Sequence, residues 1–171
     1  MPTRPNRKNI RLPSLNYAGM REYFVTICCH RRKPLLAHRE NTIPVLEQLK
    51  SSSLRESFSV HAYCAMPDHL HFLAVGNSES SHLLGFVKSF KQTTGYEFTE
   101  RTGKQLWQFK FYDHILRRSD DFDRVAWYIW MNPVRKGLCA NAADFPYSGS
   151  FTTLWQDQTP PAHAWHPPSP L

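Results

Sequence analysis

The chain has 171 residues, of which 41% are hydrophobic and 13% aromatic, as is typical of one folded globular domain. Lysine and arginine outnumber aspartate and glutamate by 21 to 14, and the formal charge of +7 favours a polyanionic partner such as nucleic acid, with a merely basic protein as the alternative. No apolar run reaches the roughly 18 residues that a membrane span needs, so we expect no membrane-spanning helix.

The N-terminal segment lacks the apolar stretch of a signal peptide, so we expect no leader. None of the four cysteines lies in a Cys-x-x-Cys pair, which argues against a zinc knuckle and fits a reduced compartment. We therefore expect a cytoplasmic, nucleoid-associated protein. Residues 1–20 are polar and predict a basic arm rather than a helix, with a terminus of no function as the alternative. Its cations are Arg4, Arg7, Lys8 and Arg11.

The pattern of apolar and turn residues predicts six elements followed by one more helix. They are strand 23–30, helix 41–54, strands 60–65 and 69–75, helix 81–98, strand 106–116, and a helix capped by Ser119 or Asp120 that ends near Pro133. The order β-α-β-β-α-β predicts an α+β fold of the ferredoxin-like type, an antiparallel sheet with helices on one face. Its other face is either open for a ligand or covered by the extra helix. The domain should span 21–152, and the proline-rich tail 153–171 should be extended or disordered.

A pair of histidines stands at the start of the third predicted strand, in the run from Met66 to Val75. Residues i and i+2 of a strand project from the same face, so His69 and His71 can bind one divalent cation together. Structural, hydrogen-bonded histidines are the alternative. A hard ion such as Mg²⁺ or Mn²⁺ needs further oxygen ligands, which the amide of Asn132 can supply.

A tyrosine lies on the flank of the apolar stripe of the last predicted helix. Helical spacing places Tyr128 between Arg124 at i−4 and Asn132 at i+4, so its hydroxyl can face a cleft. A tyrosine that only anchors the helix boundary is the alternative. Together with a metal-binding histidine pair, a single tyrosine indicates covalent chemistry on a phosphodiester.

The two motifs occur in an order that resembles a known group of enzymes. Met66-Pro67-Asp68-His69-Leu70-His71, followed by the run from Tyr128 to Leu138, is similar to the HUH single-strand endonucleases with one catalytic tyrosine. The chain resembles most closely the REP-associated tyrosine transposases, relatives of small insertion-sequence transposases. The resemblance covers about 23–151 and includes the runs 24–26, 107–114 and 144–148.

The resemblance implies a ferredoxin-like nuclease core and a role for each motif residue. His69 and His71 would hold Mg²⁺ or Mn²⁺ with Asn132 as third ligand, and Tyr128 would be the nucleophile. A free tyrosine has a pKa of about 10, so the metal or a nearby cation such as Arg124 would assist its deprotonation. The implied substrate is single-stranded or hairpin DNA of the repetitive extragenic palindrome (REP) type, bound by a monomer or a homodimer.

Further residues are candidates for DNA contact, although each is more often a solvated charge or a structural histidine. Besides the arm, they are Lys110, His114, Arg117, Arg124, Arg135 and Lys136. Two other functions stay open at this point. One is a module of the same fold that grips structured nucleic acid without cutting it. The other is a metallo-hydrolase that uses the same histidines to activate water.

Overall fold

A five-stranded antiparallel sheet in the order β4-β1-β3-β2-β5 organises residues 17–168, the part of the chain that the computed structural model describes. The strands are β1 Glu22–Cys28, β2 Phe58–Met66, β3 His69–Gly76, β4 Tyr112–Ile115 and β5 Ser148–Gly149. The helices are α1 Arg39–Arg55, α2 Leu83–Thr102, α3 Phe122–Trp130 and α4 Asn132–Arg135. The predicted α+β fold with its β-α-β-β-α-β order is confirmed. None of the described helices is long and apolar enough to cross a membrane.

The hairpin between β2 and β3 positions the histidine pair. Met66 pairs with His69, so Pro67 and Asp68 alone form the turn, as their turn chemistry predicts. On its other side β3 pairs with β1, which sets Cys28 opposite His69. The same register sets Thr26 opposite His71, and both histidines therefore lie on a central strand.

Alternation along β3 divides the protein into two layers. Leu70, Phe72 and Ala74 join the first core cluster, which packs the sheet against α1 and α2. Leu73, which shares the face of the histidines, joins the second core cluster with α3. Of the two possibilities that the sequence left for this face, the structure shows the covered one.

Helix α3 begins one or two residues later than expected. Its N-cap is Asp121, whose carboxylate accepts from the backbone N–H of Arg124 at 3.2 Å, so the prediction of Ser119 or Asp120 is wrong. The Asp120 carboxylate is engaged elsewhere, by the side chain of His114 and the backbone N–H of Arg117. The buried residues of α3 are Val125, Ala126, Ile129 and Trp130, which form one apolar stripe.

The fourth strand is much shorter than the predicted 106–116. Only Tyr112–Ile115 pairs with β1, while Trp107 makes a single bridge to Cys29. The carbonyl groups of Gln108 and Phe109 accept from the Lys91 ammonium of α2 at 2.8 Å each. The aromatic segment before Tyr112 is therefore a loop tethered to a helix rather than part of the strand.

The proline-rich tail packs onto the protein as far as it is described. Trp155 and Trp165 are buried in the second core cluster, and the Trp165 indole N–H donates to the Asp120 carboxylate at 3.0 Å. Proline content predicted an extended or disordered tail, and the described part is packed rather than disordered because two indole rings bury large apolar areas. Residues 1–16 of the predicted arm, which include Arg4, Arg7, Lys8 and Arg11, lie outside the described residues.

Candidate active site

The two histidines meet through their outer ring nitrogens. Nε2 of His69 and Nε2 of His71 are 2.9 Å apart, and both residues are more than nine-tenths buried. Their rings are nearly perpendicular, at 79°. The prediction that the pair projects from one face is therefore confirmed by the geometry of β3.

Each histidine is held at its other nitrogen by a different side chain. His69 Nδ1–H donates to the Asp68 carboxylate at 2.6 Å, and Asp68 also pairs with the Arg32 guanidinium at 2.9 Å. His71 Nδ1 contacts the Thr26 hydroxyl at 2.8 Å. A partner at Nδ1 fixes the ring orientation and leaves Nε2 as the free position, the usual arrangement of metal-binding histidines.

Burial favours the neutral form of both imidazoles. It lowers the pKa of His69 in spite of the opposing effect of Asp68. Burial, and secondly the neighbouring His69, holds the pKa of His71 well below its ordinary value. A neutral imidazole has the lone pair that a metal ligand needs, so burial favours the form that could bind a cation.

The spacing of the two nitrogens fits one divalent ion. Adjacent ligands of an octahedral ion at about 2.1 Å stand about 3 Å apart, close to the separation of the two Nε2 atoms. Within residues 17–168 no group of three or more His, Cys, Asp or Glu side chains can hold a metal. A further ligand must therefore come from another residue type, from water or from a substrate.

Asn132 lies at the junction that follows the tyrosine helix. Helix α3 ends at Trp130 and α4 begins at Asn132, while Met131 between them keeps dihedrals of the α region, with φ −80° and ψ −2°. Pro133 lies in the first turn of α4, where a missing N–H is tolerated. Asn132 is buried, with 3% of its surface exposed. Its i+4 relation to Tyr128 thus spans the junction between two helices.

Tyr128 stands on the histidine face, enclosed by aromatic rings. Its ring centre is 6.2 Å from that of His71, and Phe24 of β1 lies edge-on at 5.9 Å. From the tail, Trp165 and His166 approach to 5.3 and 6.3 Å. The side chain is half-buried, so packing fixes the ring beside the histidine pair.

The cation beside the tyrosine differs from the predicted one. Arg124 forms an ion pair with the N-cap Asp121 at 3.5 Å. The Arg135 guanidinium instead lies 4.0 Å above the centre of the Tyr128 ring and donates to the Tyr128 backbone carbonyl at 2.9 Å. A stacked guanidinium favours one ring position and brings positive charge to the site.

The other predicted DNA contacts are three cations and one histidine. Lys110, Arg117 and Lys136 are exposed. His114 lies on β4, where its Nε2–H donates to Asp120 at 2.9 Å, a contact that fits the structural alternative. DNA contact by these side chains stays a prediction.

Sequence reasoning missed the groups that support the site. Thr26 and Asp68 hold the histidines, yet neither was assigned a role. The strand register carries a signal for Thr26, because a residue opposite His71 on β1 must share its face. For Asp68 the signal is its position in the turn immediately before His69. No sequence signal identifies Trp165, which reaches the tyrosine from the tail.

Comparison with known proteins defines the class of this fold and site. Residues 19–131 match the sequence profile of the family described as "Transposase IS200 like". Because the match covers more than half of the chain, the protein belongs to the IS200-like transposase family. The resemblance to REP-associated tyrosine transposases is confirmed by individual relatives.

Three similar proteins show how much of the chain the similarity covers. A REP-associated tyrosine transposase of Escherichia coli strain K12 is 30% identical over 95 residues, which span 53% of each chain. An uncharacterized protein of Haemophilus influenzae is 24% identical over 161 residues, covering 75% of this chain and 89% of its own. A solved structure of a REP-associated tyrosine transposase bound to a REP hairpin superposes with a TM-score of 0.65 at 24% identity, covering 77% of this chain and 78% of that one. The chain thus spans about half the length of the E. coli relative and shares the fold of the solved structure.

Proposed function

We propose that the protein is a metal-dependent, site-specific endonuclease and strand transferase for single-stranded DNA that works through a 5′-phosphotyrosine. One observation carries the proposal: Tyr128 stands 6.2 Å, ring to ring, from a histidine pair whose free nitrogens converge. Membership of the IS200-like transposase family supports it.

The proposed substrate is hairpin DNA of the REP type together with its single-stranded flank. The solved relative is bound to a REP hairpin, and the E. coli relative is named for association with REP sequences. The formal charge of +7 supports a polyanionic partner. Phosphate contacts would position the DNA, and contacts with unpaired bases would select it.

The tyrosine supplies the covalent step. Its hydroxyl oxygen attacks the scissile phosphorus, and the bond from phosphorus to the 3′ oxygen breaks. The tyrosine hydroxyl loses a proton, and the leaving 3′ oxygen gains one to become a 3′-hydroxyl. The 5′ end stays on Tyr128 as a phosphodiester, so the energy of the broken bond is conserved. A second 3′-hydroxyl can then reverse the step and join to that end.

The remaining residues hold and orient. His69 and His71 would bind the cation with Asn132 as a third ligand, while Thr26 and Asp68 keep the imidazoles in place. Mg²⁺ or Mn²⁺ bound there would neutralise charge on a non-bridging oxygen of the scissile phosphate. Arg135 would hold the tyrosine ring by stacking and add positive charge near the phosphate.

Two substitutions and a control test the proposal. Tyr128→Phe keeps the ring and its packing, so hairpin binding should persist while cleavage and the covalent adduct disappear. Tyr147→Phe is the matched control, because the Tyr147 ring packs against the first core cluster. This variant should cleave the DNA as the native protein does. His71→Ala and chelation should each abolish cleavage.

Different outcomes favour different functions. An adduct formed by Tyr128→Phe on a denaturing gel would assign the nucleophile to another residue. Cleavage without any adduct in the native protein would favour a metallo-hydrolase. Tight hairpin binding with no cleavage in Mg²⁺ or Mn²⁺ would favour a binding module of the same fold.

A further inference from the structure

Phe109 has the most exposed large apolar side chain in the described part of the protein, with 92% of its surface accessible. A phenylalanine ring on the surface forgoes the stabilisation that burial in the core would give. Isolated exposed apolar residues are common, so exposure alone assigns nothing. The fixed backbone beneath this ring and the positive charge around it distinguish Phe109 from such residues.

The backbone that presents Phe109 is fixed. The Lys91 ammonium donates to the carbonyls of Gln108 and Phe109 at 2.8 Å each. The Gln108 N–H donates to the Cys28 carbonyl at 2.9 Å, and the buried Trp107 indole donates to the Thr94 hydroxyl at 2.8 Å. The ring therefore projects into solvent from a tethered loop, which lowers the entropic cost of stacking a partner on it.

The loop lies against a basic turn. Cys29 bridges Trp107, and the His30 N–H donates to the Leu106 carbonyl at 2.7 Å, so the turn 30–33 runs beside the Phe109 loop. Two consecutive arginines of that turn, Arg31 and Arg32, have positive φ values of 54° and 56°. Non-glycine residues held in this region store strain, which clusters at functional positions. The exposed cations of the two segments are Arg31, Arg32, Lys33 and Lys110.

This surface is within reach of the candidate active site. Phe109 precedes Tyr112 by three residues, and Tyr112 pairs with Thr26, whose hydroxyl contacts His71. The preceding Gln108 donates its N–H to the Cys28 carbonyl, and Cys28 pairs with His69 on β3. Two strand spacings amount to about 10 Å, so the backbone of the loop lies about 10 Å from β3 near His69, within the span of a few nucleotides.

We propose that Phe109 is a stacking platform for one unpaired base of the single strand that flanks the hairpin. The basic turn would contact the phosphates beside that base. An exposed aromatic ring set among cations suits single-stranded nucleic acid, in which every base offers a π-face and every linkage a negative charge. The inference rests on the proposed function and adds a place where the strand is gripped outside the chemistry.

Binding measured by anisotropy separates this contact from the rest of the interface. The probes are a REP hairpin with its flank, the bare hairpin, and a single strand of the flank alone. Phe109→Ala should weaken binding of the two flank-containing DNAs by about tenfold and leave the bare hairpin unchanged. Phe109→Tyr should restore binding. Tyr96→Ala removes another exposed ring, on α2, and should have no effect.

A base analogue reports the contact directly. With 2-aminopurine placed at successive flank positions, the native protein should quench one position strongly, and Phe109→Ala should remove that quenching. Equal binding of the flanked hairpin by native protein and Phe109→Ala overturns the inference, as does an equal loss with the bare hairpin. A third outcome separates the two proposals: the native protein shows no preference for hairpins, but Phe109→Ala loses affinity for the single strand. This result would support Phe109 as a stacking platform and contradict the proposed hairpin substrate.

Discussion

Replacing Thr26 by valine tests how the histidine pair is held. Valine has the shape of threonine and suits a strand, so the substitution removes little beyond the hydroxyl. That hydroxyl contacts His71 Nδ1 at 2.8 Å. When Nε2 of His71 binds a metal, Nδ1 carries the proton and donates it to Thr26.

The expected loss follows from the burial of His71. In Thr26→Val the Nδ1–H of a buried ring has no acceptor in the metal-bound state, which costs about 1–3 kcal/mol. The metal-free protein loses less, because His71 can then carry its proton on Nε2 and donate it to His69 across 2.9 Å. The substitution therefore destabilises the metal-bound state more than the metal-free state. We expect Mn²⁺ affinity to fall by about 5- to 30-fold, in line with other outer partners of metal ligands.

Calorimetric titration with Mn²⁺ measures this difference directly, and the electron paramagnetic resonance of free Mn²⁺ checks it. Thr26→Ser is the control, since it keeps the hydroxyl and should bind Mn²⁺ almost as the native protein does. Unfolding by urea in chelator should differ by about 1 kcal/mol or less between the variants. A Thr26→Val protein that binds Mn²⁺ within twofold of the native affinity would refute the assigned role of the hydroxyl.

Two further predictions concern the ends of the chain. Trp165→Ala should lower the free energy of unfolding by about 2–4 kcal/mol, because it removes a buried indole and leaves the Asp120 carboxylate without that donor; urea denaturation of the two proteins measures it, and an unchanged midpoint would contradict the packing. Deleting residues 1–12 should flatten the salt dependence of hairpin binding by about 3 units of slope if all four arm cations contact phosphates. Affinities at several salt concentrations test this, and an equal slope would mean that the arm makes no such contacts.

Period-two and turn signals were enough to place the histidine pair from the sequence. The single residue between His69 and His71 sets both on one face, and Pro67-Asp68 marks the hairpin that makes their strand an inner one. Alternation along β3 likewise places Leu73 on the face of the histidines, and helical spacing gives α3 its buried stripe. Local periodicity therefore determined which side chains share a face.

Contacts that cross between elements were beyond the same reasoning. A helical wheel assigned Arg124 to the tyrosine, but Arg124 pairs with Asp121, and Arg135 of α4 lies over the ring instead. Strand propensity predicted a longer β4, but the added segment is a loop in which the Gln108 carbonyl accepts a hydrogen bond from Lys91. Proline content did not indicate the packing of Trp165, because composition carries no information about the tertiary contacts of a single side chain.

The division of the core into two clusters would link the proposed catalysis to folding. The histidines are anchored in the sheet that α1 and α2 stabilise from behind, whereas Tyr128 packs against the cluster of Trp130 and Trp155 on the opposite face. If that layer opens as a separate cooperative unit, Tyr128, the proposed nucleophile, departs from the histidine pair while the sheet stays intact. Activity would then decline at a lower temperature than the global transition, and hydrogen exchange at the α3 amides would report the loss first.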